Sequence, residues 1–517
     1  MPGGPGLRAI AVAVLLAACG HAGPATGLDQ GVAYTQSGAV RGVVNPEYVV
    51  FQGIPYAQAA RWDRATDVPR WAGVRDAGSP GQRCVQDRAR DPGFGRSTGE
   101  DCLSLNVWSP SGATGRPVLV WIHGGGFANG SGDIYDARRL ATRGDIVVVT
   151  VNYRLGAPGF LAHPALGGPG GVGNYGFTDQ QTALRWVRDN ITGFGGDSAK
   201  VTIAGESAGA MSVCDHLVAP GSAGLFRAAI MASGPCSAQA PLTTAERVST
   251  EYAAARGCGA AATAAACLRE LPAAKLEEPP WFYHLGANGL TGPVIGTPVL
   301  PVDPVATIEA GAAVPVPMLI GTTRDEFTLF LALQYLRTGE LPGPADYPGL
   351  LARTFGRDAD AVAAHYPIDD HHDSTVLAYA AAVTDSYFSC VAARLGAGHS
   401  RVAPVYSYEF NDPTAPAPEP LRRVPFAVGA SHSLDLRYVF DVAGAPPLNP
   451  AQQSLSEQMI GYWSGFVATG TPGFPGAPAW PRLGGADGPR MSFRPGGASV
   501  ITTFERDHQC GFWAGLR

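Results

Sequence analysis

One serine in this chain stands in a setting that could make it a nucleophile. Residues 201–210 read VTIAGESAGA, which places Gly-x-Ser-x-Gly at Gly205, Ser207 and Gly209. A β-rich run precedes the motif and a helix-compatible run, 208–217, follows it. A turn that sharp strains the serine backbone, and the flanking glycines remove side chains that would clash. The hydroxyl would then project from a strand end at a helix N-terminus, where partial positive charge favours an anionic intermediate. In a chain with 68 glycines, about half a match is expected by chance, so context has to carry the reading. The plain alternative is a Gly-rich strand-to-helix turn.

Upstream, His123-Gly124-Gly125-Gly126-Phe127 follows another apolar run. Three glycines in a row present backbone N–H groups without Cβ shielding. That suits an oxyanion hole, whose donors lie about 3 Å from the developing negative oxygen. A plain turn or a phosphate loop would look similar, but no Gly-Lys-Ser/Thr follows, so a P-loop is rejected. Among the eleven histidines, His371 and His372 lie in Asp-Asp-His-His-Asp at 369–373. Adjacent side chains do not face one site and the acidic neighbours read as a solvated loop, so no metal is expected.

These groups need a frame. Runs at 117–122 (PVLVWI), 146–151 (IVVVTV), 201–204, 228–231 and 317–320 read as buried strands. Between them, 178–190 has helical periodicity, 193–197 is a turn, and 452–469 is a late helix. Residues 286–303 read as a long irregular connection. The alternation predicts a largely parallel sheet covered on both faces. Hydrophobic residues are 45% of the 517, enough for a sizeable core, and 68 Gly with 44 Pro show no repeat. Net charge is −6 and the only lysines are Lys200 and Lys275, which argues against a nucleic-acid partner.

The N-terminus reads as a secretory leader: Arg8, then an apolar run from 9 to 18 that is too short to span a bilayer. Leu16-Ala17-Ala18-Cys19 resembles a bacterial lipoprotein box, which would leave a lipid on Cys19; an ordinary signal peptide is the plain alternative. The expected organisation is a signal peptide at 1–18, a flexible tether at 19–30 and one domain at 31–517. No other stretch reads as membrane-length. Setting Cys19 aside, eight of the nine cysteines remain, an even number suited to an oxidising compartment. Spacing leaves their pairing open, and no Cys-x-x-Cys suggests zinc.

Taken in order, FQGIPYA at 51–57, EDCLSLNV at 100–107, HGGGF at 123–127, NYRLG at 152–156, the serine turn and further segments between them resemble the type-B carboxylesterase family, in the cholinesterase-like branch of the α/β-hydrolases. The resemblance covers about residues 32–514. It implies an α/β-hydrolase fold, with a large central mostly parallel sheet flanked by helices and long loop and helical insertions over the site. It also implies the rest of a catalytic triad. Gly321-Thr-Thr-Arg-Asp325-Glu326 makes Glu326 the acid, with Asp325 the runner-up on chemistry alone. Gly429-Ala-Ser-His432 makes His432 the base, although Arg437 replaces the family's proline just downstream. The oxyanion donors are the N–H groups of Gly125, Gly126 and Ala208, and Glu206 resembles a residue that tunes site electrostatics; a structural carboxylate is its alternative. Cys84–Cys102, Cys258–Cys267 and Cys390–Cys510 match family bridges, and Cys214 would pair with Cys236.

The resemblance implies a serine carboxylesterase acting on small-molecule esters, with no cofactor, outside the cytoplasm and either secreted or tethered to the membrane through lipidated Cys19. A lipase for long-chain lipid esters and a non-catalytic binding protein are the alternatives. No tryptophan lies between Cys84 and Cys102 to meet a quaternary ammonium, which argues against a choline ester. Ala287 and Gly289 suggest room for a larger acyl group. Trp281, Phe282 and Tyr283 could line an entrance or simply fill the core.

Overall fold

The structure is a computed structural model and describes residue 1 and residues 27–87, 97–168, 171–285 and 288–516. Residues 2–18 of the expected leader, Cys19 with most of the tether, and Ala287 lie outside the described residues.

The apolar runs form an 11-stranded sheet. In chain order its strands are β1 (Val43–Val44), β2 (Tyr48–Pro55), β3 (Ser104–Pro110), β4 (Arg116–Ile122), β5 (Val147–Val151), β6 (Gly196–Glu206), β7 (Ala228–Ala232), β8 (Met318–Thr323), β9 (Val405–Phe410), β10 (Arg490–Arg494) and β11 (Gly497–Ile501). The spatial order is β11-β10-β9-β8-β7-β6-β4-β5-β3-β2-β1. From β10 across to β5 every pairing is parallel; the outer pairings are antiparallel.

Both faces of the parallel core are covered, because alternate side chains feed two separate apolar clusters. Val118, Val120 and Ile122 of β4 point to one face with Val201 and Ile203 of β6. Helices α1 (Tyr175–Asn190), α2 (Ala208–His216) and α4 (Cys390–His399) cover that face, through side chains such as Leu184, Val213 and Leu395. Leu119 and Trp121 point to the other face, onto Met459, Trp463 and Phe466 of α5 (Pro450–Thr469). Each fully buried side chain of this size contributes about 1.5–3 kcal/mol.

Between α3 (Thr375–Thr384) and α4 the chain makes a π-helical turn, Asp385–Ser389, so that Thr375–His399 is one continuous 25-residue rod. By length and composition alone this rod could cross a membrane, contrary to the expectation that no stretch beyond the leader reaches that length. It is apolar because it packs inside the protein: 78% of its most apolar window is buried.

The position of the site follows from strand order. β4 has β5 on one side and β6 on the other, so successive connections leave in opposite directions and a crevice opens at the strands' C-terminal ends. Register pairs Ile122 with Gly205. The His123–Phe127 loop and the Ser207 turn therefore emerge side by side. Arg154, just past β5, makes a buried bidentate ion pair with Asp179 of α1 at 2.7 and 2.8 Å, fastening the crevice floor to the covering helix.

Disulfides join Cys84 to Cys102, Cys258 to Cys267 and Cys390 to Cys510. The expected fourth bridge is not formed. Cys214 and Cys236 are buried free thiols, and Cys236 Sγ donates to the Ala210 carbonyl at 4.0 Å.

Candidate active site

Ser207 joins β6 to α2 with φ 55° and ψ −122°, a conformation a non-glycine residue adopts only under constraint. Its N–H donates to the Ala232 carbonyl at 2.9 Å, which fastens the turn to β7. The two motif glycines leave no room for a side chain. A Cβ at Gly205 would sit 2.3 Å from the Gly209 carbonyl carbon, and one at Gly209 would sit 2.0 Å from the Ile122 oxygen. The helix thus crosses directly over the end of β4, and Ser207 itself is only half buried.

The triglycine loop lies against this turn. A Cβ on Gly124 would meet the Glu206 carbonyl oxygen at 2.8 Å and Ser207 Cβ at 3.0 Å. Gly125 and Gly126 take φ 103° and 61°, and among the described residues nothing accepts a hydrogen bond from either backbone N–H. His123 is a scaffold for the loop. Its buried ring stacks on Tyr153 at 4.4 Å, and Tyr153 donates to its carbonyl at 2.8 Å. Burial drives its pKa down to about 4, so it stays neutral.

Glu326 and His432 come together from distant parts of the sequence. Glu326 follows β8 and is fully buried. One carboxylate oxygen accepts the Thr323 N–H at 2.8 Å, and the other pairs with His432 Nδ1 at 2.5 Å. Asp325 does different work: it exchanges bonds with Ala430, N–H to carbonyl at 3.0 Å and carboxylate to N–H at 2.8 Å. A Cβ at Gly429 would lie 2.2 Å from its Oδ2, so the histidine loop is seated on Asp325 while Glu326 holds the ring.

His432 is 3% exposed, and its Nε2 makes no hydrogen bond. That nitrogen lies 3.1 Å from Glu206 Oε1, outside hydrogen-bonding geometry, and the same oxygen accepts the Ser433 hydroxyl at 2.5 Å. Ser207 and His432 are therefore neighbours through Glu206, and no Ser207–His432 hydrogen bond is formed in the structure. Burial opposes an imidazolium here, but the carboxylates of Glu206 and Glu326 outweigh it and raise His432 to about 9. Burial in turn raises Glu206, and it lifts Asp435 to about 8 with help from the same two carboxylates.

Reading the sequence did not single out several neighbours. Phe330 and Phe388 pack on the His432 ring at 5.1 and 5.5 Å. Ser433 and Asp435 had one available signal, their place directly after His432. The suggested room at Gly289 is filled, because a Cβ there would strike the Trp281 ring at 2.5 Å. Phe282 is buried, and Tyr283 starts a short hairpin, Tyr283–Leu285 with Asn288–Leu290. His371 and His372 end a surface turn, Ile368–His371 and the residue after it, and His372 is exposed.

Comparison with known proteins agrees with this architecture. The sequence model of the carboxylesterase family matches residues 29–513. Fumonisin B1 esterase of Sphingopyxis macrogoltabida is 34% identical over 478 residues, covering 87% of this chain and 84% of its own. Para-nitrobenzyl esterase of Bacillus subtilis (strain 168) is 33% identical, covering 85% and 90%. A solved structure titled PNB esterase superposes with a TM-score of 0.78 at 30% identity, covering 93% of this chain and 99% of that one.

Proposed function

The chain belongs to the carboxylesterase family, and on that footing we propose that it hydrolyses carboxylic esters through an acyl-enzyme on Ser207. One observation supports this reading above the others. The buried Glu326–His432 pair leaves Nε2 without a partner, next to the residue that precedes a backbone-strained serine. In the proposed reaction Nε2 takes the Ser207 proton as Oγ attacks the ester carbonyl, while Glu326 keeps the ring's other N–H in place. The oxyanion accepts N–H bonds from Gly125, Gly126 and Ala208. The imidazolium then protonates the departing alcohol, and water, deprotonated by the same ring, releases the acid.

The names of the relatives point to small-molecule esters, including para-nitrobenzyl and fumonisin esters. Initial rates on a p-nitrophenyl ester series from acetate to palmitate test the reading. Wild type should turn over the short and middle members, and Ser207→Ala should lose about 10⁴-fold or more while melting at the same temperature. Equal rates for the two proteins would leave only the binding reading, and turnover confined to aggregated long-chain esters would replace esterase by lipase.

Three disulfides fit a protein that folds outside the reducing cytoplasm. A lipid on Cys19 belongs to the same proposal. Palmitate label should enter the wild type and not Cys19→Ala; label absent from both would discard the anchor.

A further inference from the structure

A cavity of about 670 Å³ opens beside the turn Leu434–Tyr438, and no residue of the candidate site lines it. Four arginines do: Arg138, Arg139, Arg143 and Arg437. Three of them are matched. Arg138 and Arg139 share the two oxygens of Asp441 at 2.8 and 2.7 Å, and Arg143 meets Glu457 at 2.8 Å. The lining carboxylate of Asp133 is held from outside the cavity by Arg83 at 2.9 and 3.0 Å, and Asp136 accepts the Arg138 backbone N–H at 3.0 Å.

Arg437 is the exception. Its Nη1 donates to the Val442 carbonyl at 3.0 Å, and no carboxylate of the described residues lies within ion-pair reach. The side chain is half buried, and that burial, with no acid to offset it, lowers its pKa to about 10. A half-buried guanidinium without a counter-ion keeps N–H donors free at the cavity, and its planar fork is shaped for a carboxylate. Much of the rest of the lining is apolar: Val442, whose carbonyl meets Arg437, then Pro446, Pro447 and Leu448. The volume is in the range of small-ligand sites.

We propose that this cavity binds an aliphatic monocarboxylate, its head on the Arg437 fork and its chain along the apolar lining from Val442 to Leu448. One unmatched cation calls for a single negative charge, and an apolar lining calls for a hydrocarbon body. The proposal stands apart from the ester-hydrolase reading and survives if that reading fails.

Calorimetric titration of the full chain with decanoate, decanol and inorganic phosphate tests it. Decanoate should bind saturably, at least tenfold more tightly than either decanol or phosphate. Arg437→Gln should weaken decanoate at least tenfold, and Arg437→Lys should restore part of the loss. Decanoate binding that ignores Arg437→Gln, or phosphate or decanol binding as tightly as decanoate, overturns the proposal. A diazirine-bearing decanoate photolysed on the wild type needs no variant to fold. Label within residues 437–448 supports the site, and label confined to other peptides overturns it.

Discussion

At the level of single residues, the site is a balance of buried charges. His432 faces Glu326 through one nitrogen and Glu206 across the other, so the imidazolium is stabilised well above its ordinary value. A base must be neutral to accept a proton. Turnover should therefore rise with pH along a limb displaced upward from 6.5 toward 9. The charge of Glu206 raises His432 more than the charge of Glu326 does, although Glu326 adds a hydrogen bond. Glu206→Gln should therefore move the midpoint of the kcat/KM profile down by about one pH unit or more. A midpoint unchanged in the variant would mean that Glu206 does not set the base's affinity for protons. Ser207 is marked locally, because its strained turn demands glycines at fixed spacing on either side; Glu326 and His432 are proposed through the family resemblance, since no local constraint singles them out. The aromatic lid of Phe330 and Phe388 could not be located, since nothing local marks a ring that packs on a partner about a hundred or fewer positions away.

Elements hold these residues, and some of the holding is done by a buried network with no local signature. His508, near the C-terminus, pairs through Nδ1 with Asp385 of the π turn at 2.5 Å and through Nε2 with Glu409 of β9 at 2.7 Å. Tyr366 donates to the other Asp385 oxygen at 2.8 Å, and Arg324, two residues before Glu326, reaches Glu409 at 3.3 Å. The π turn carries Phe388 against His432, so this network ties the Glu326 loop, the His432 ring and strand β9 together. Burial opposes the charge on His508, yet Asp385 and Glu409 outweigh it and raise the group to about 10. His508→Ala should cost about 3–5 kcal/mol in urea unfolding near neutral pH, because it strands two buried carboxylates. The stabilisation is complete below the ordinary histidine value of 6.5 and is lost as pH climbs through about 10, so the gap between variant and wild type should close across that window. A gap that stays constant with pH would show that the ring acts by packing alone. Five of the parallel strands and α5 were readable from apolar runs and periodicity; β9 and β10 were not, since polar residues interrupt their runs. The outer antiparallel strands and the π turn were not, since short or half-exposed strands and an extra residue in a helix leave the apolar pattern nearly unchanged.

For the molecule as a whole, strand order decides where chemistry can happen, and a long-range crosslink joins helices beside the site. Cys390–Cys510 spans 120 positions and joins α4 to the C-terminal helix beside the His508 network. Replacing both cysteines with serine should lower unfolding free energy by roughly 2–5 kcal/mol, read as a fall in melting temperature with the p-nitrophenyl activity retained at room temperature. An unchanged melting temperature would remove the bridge from the account of stability. The three bridges implied by the resemblance are formed, whereas Cys214 and Cys236, paired only by elimination, are buried thiols.

The central claim is that one hydroxyl, at Ser207, carries the acyl group. Fluorophosphonate labelling of the intact protein, followed by peptide mapping, tests it most directly. The account predicts a single adduct on the peptide containing Ser207, absent when His432 is replaced by glutamine. An active preparation that is labelled elsewhere, or not at all, would contradict it.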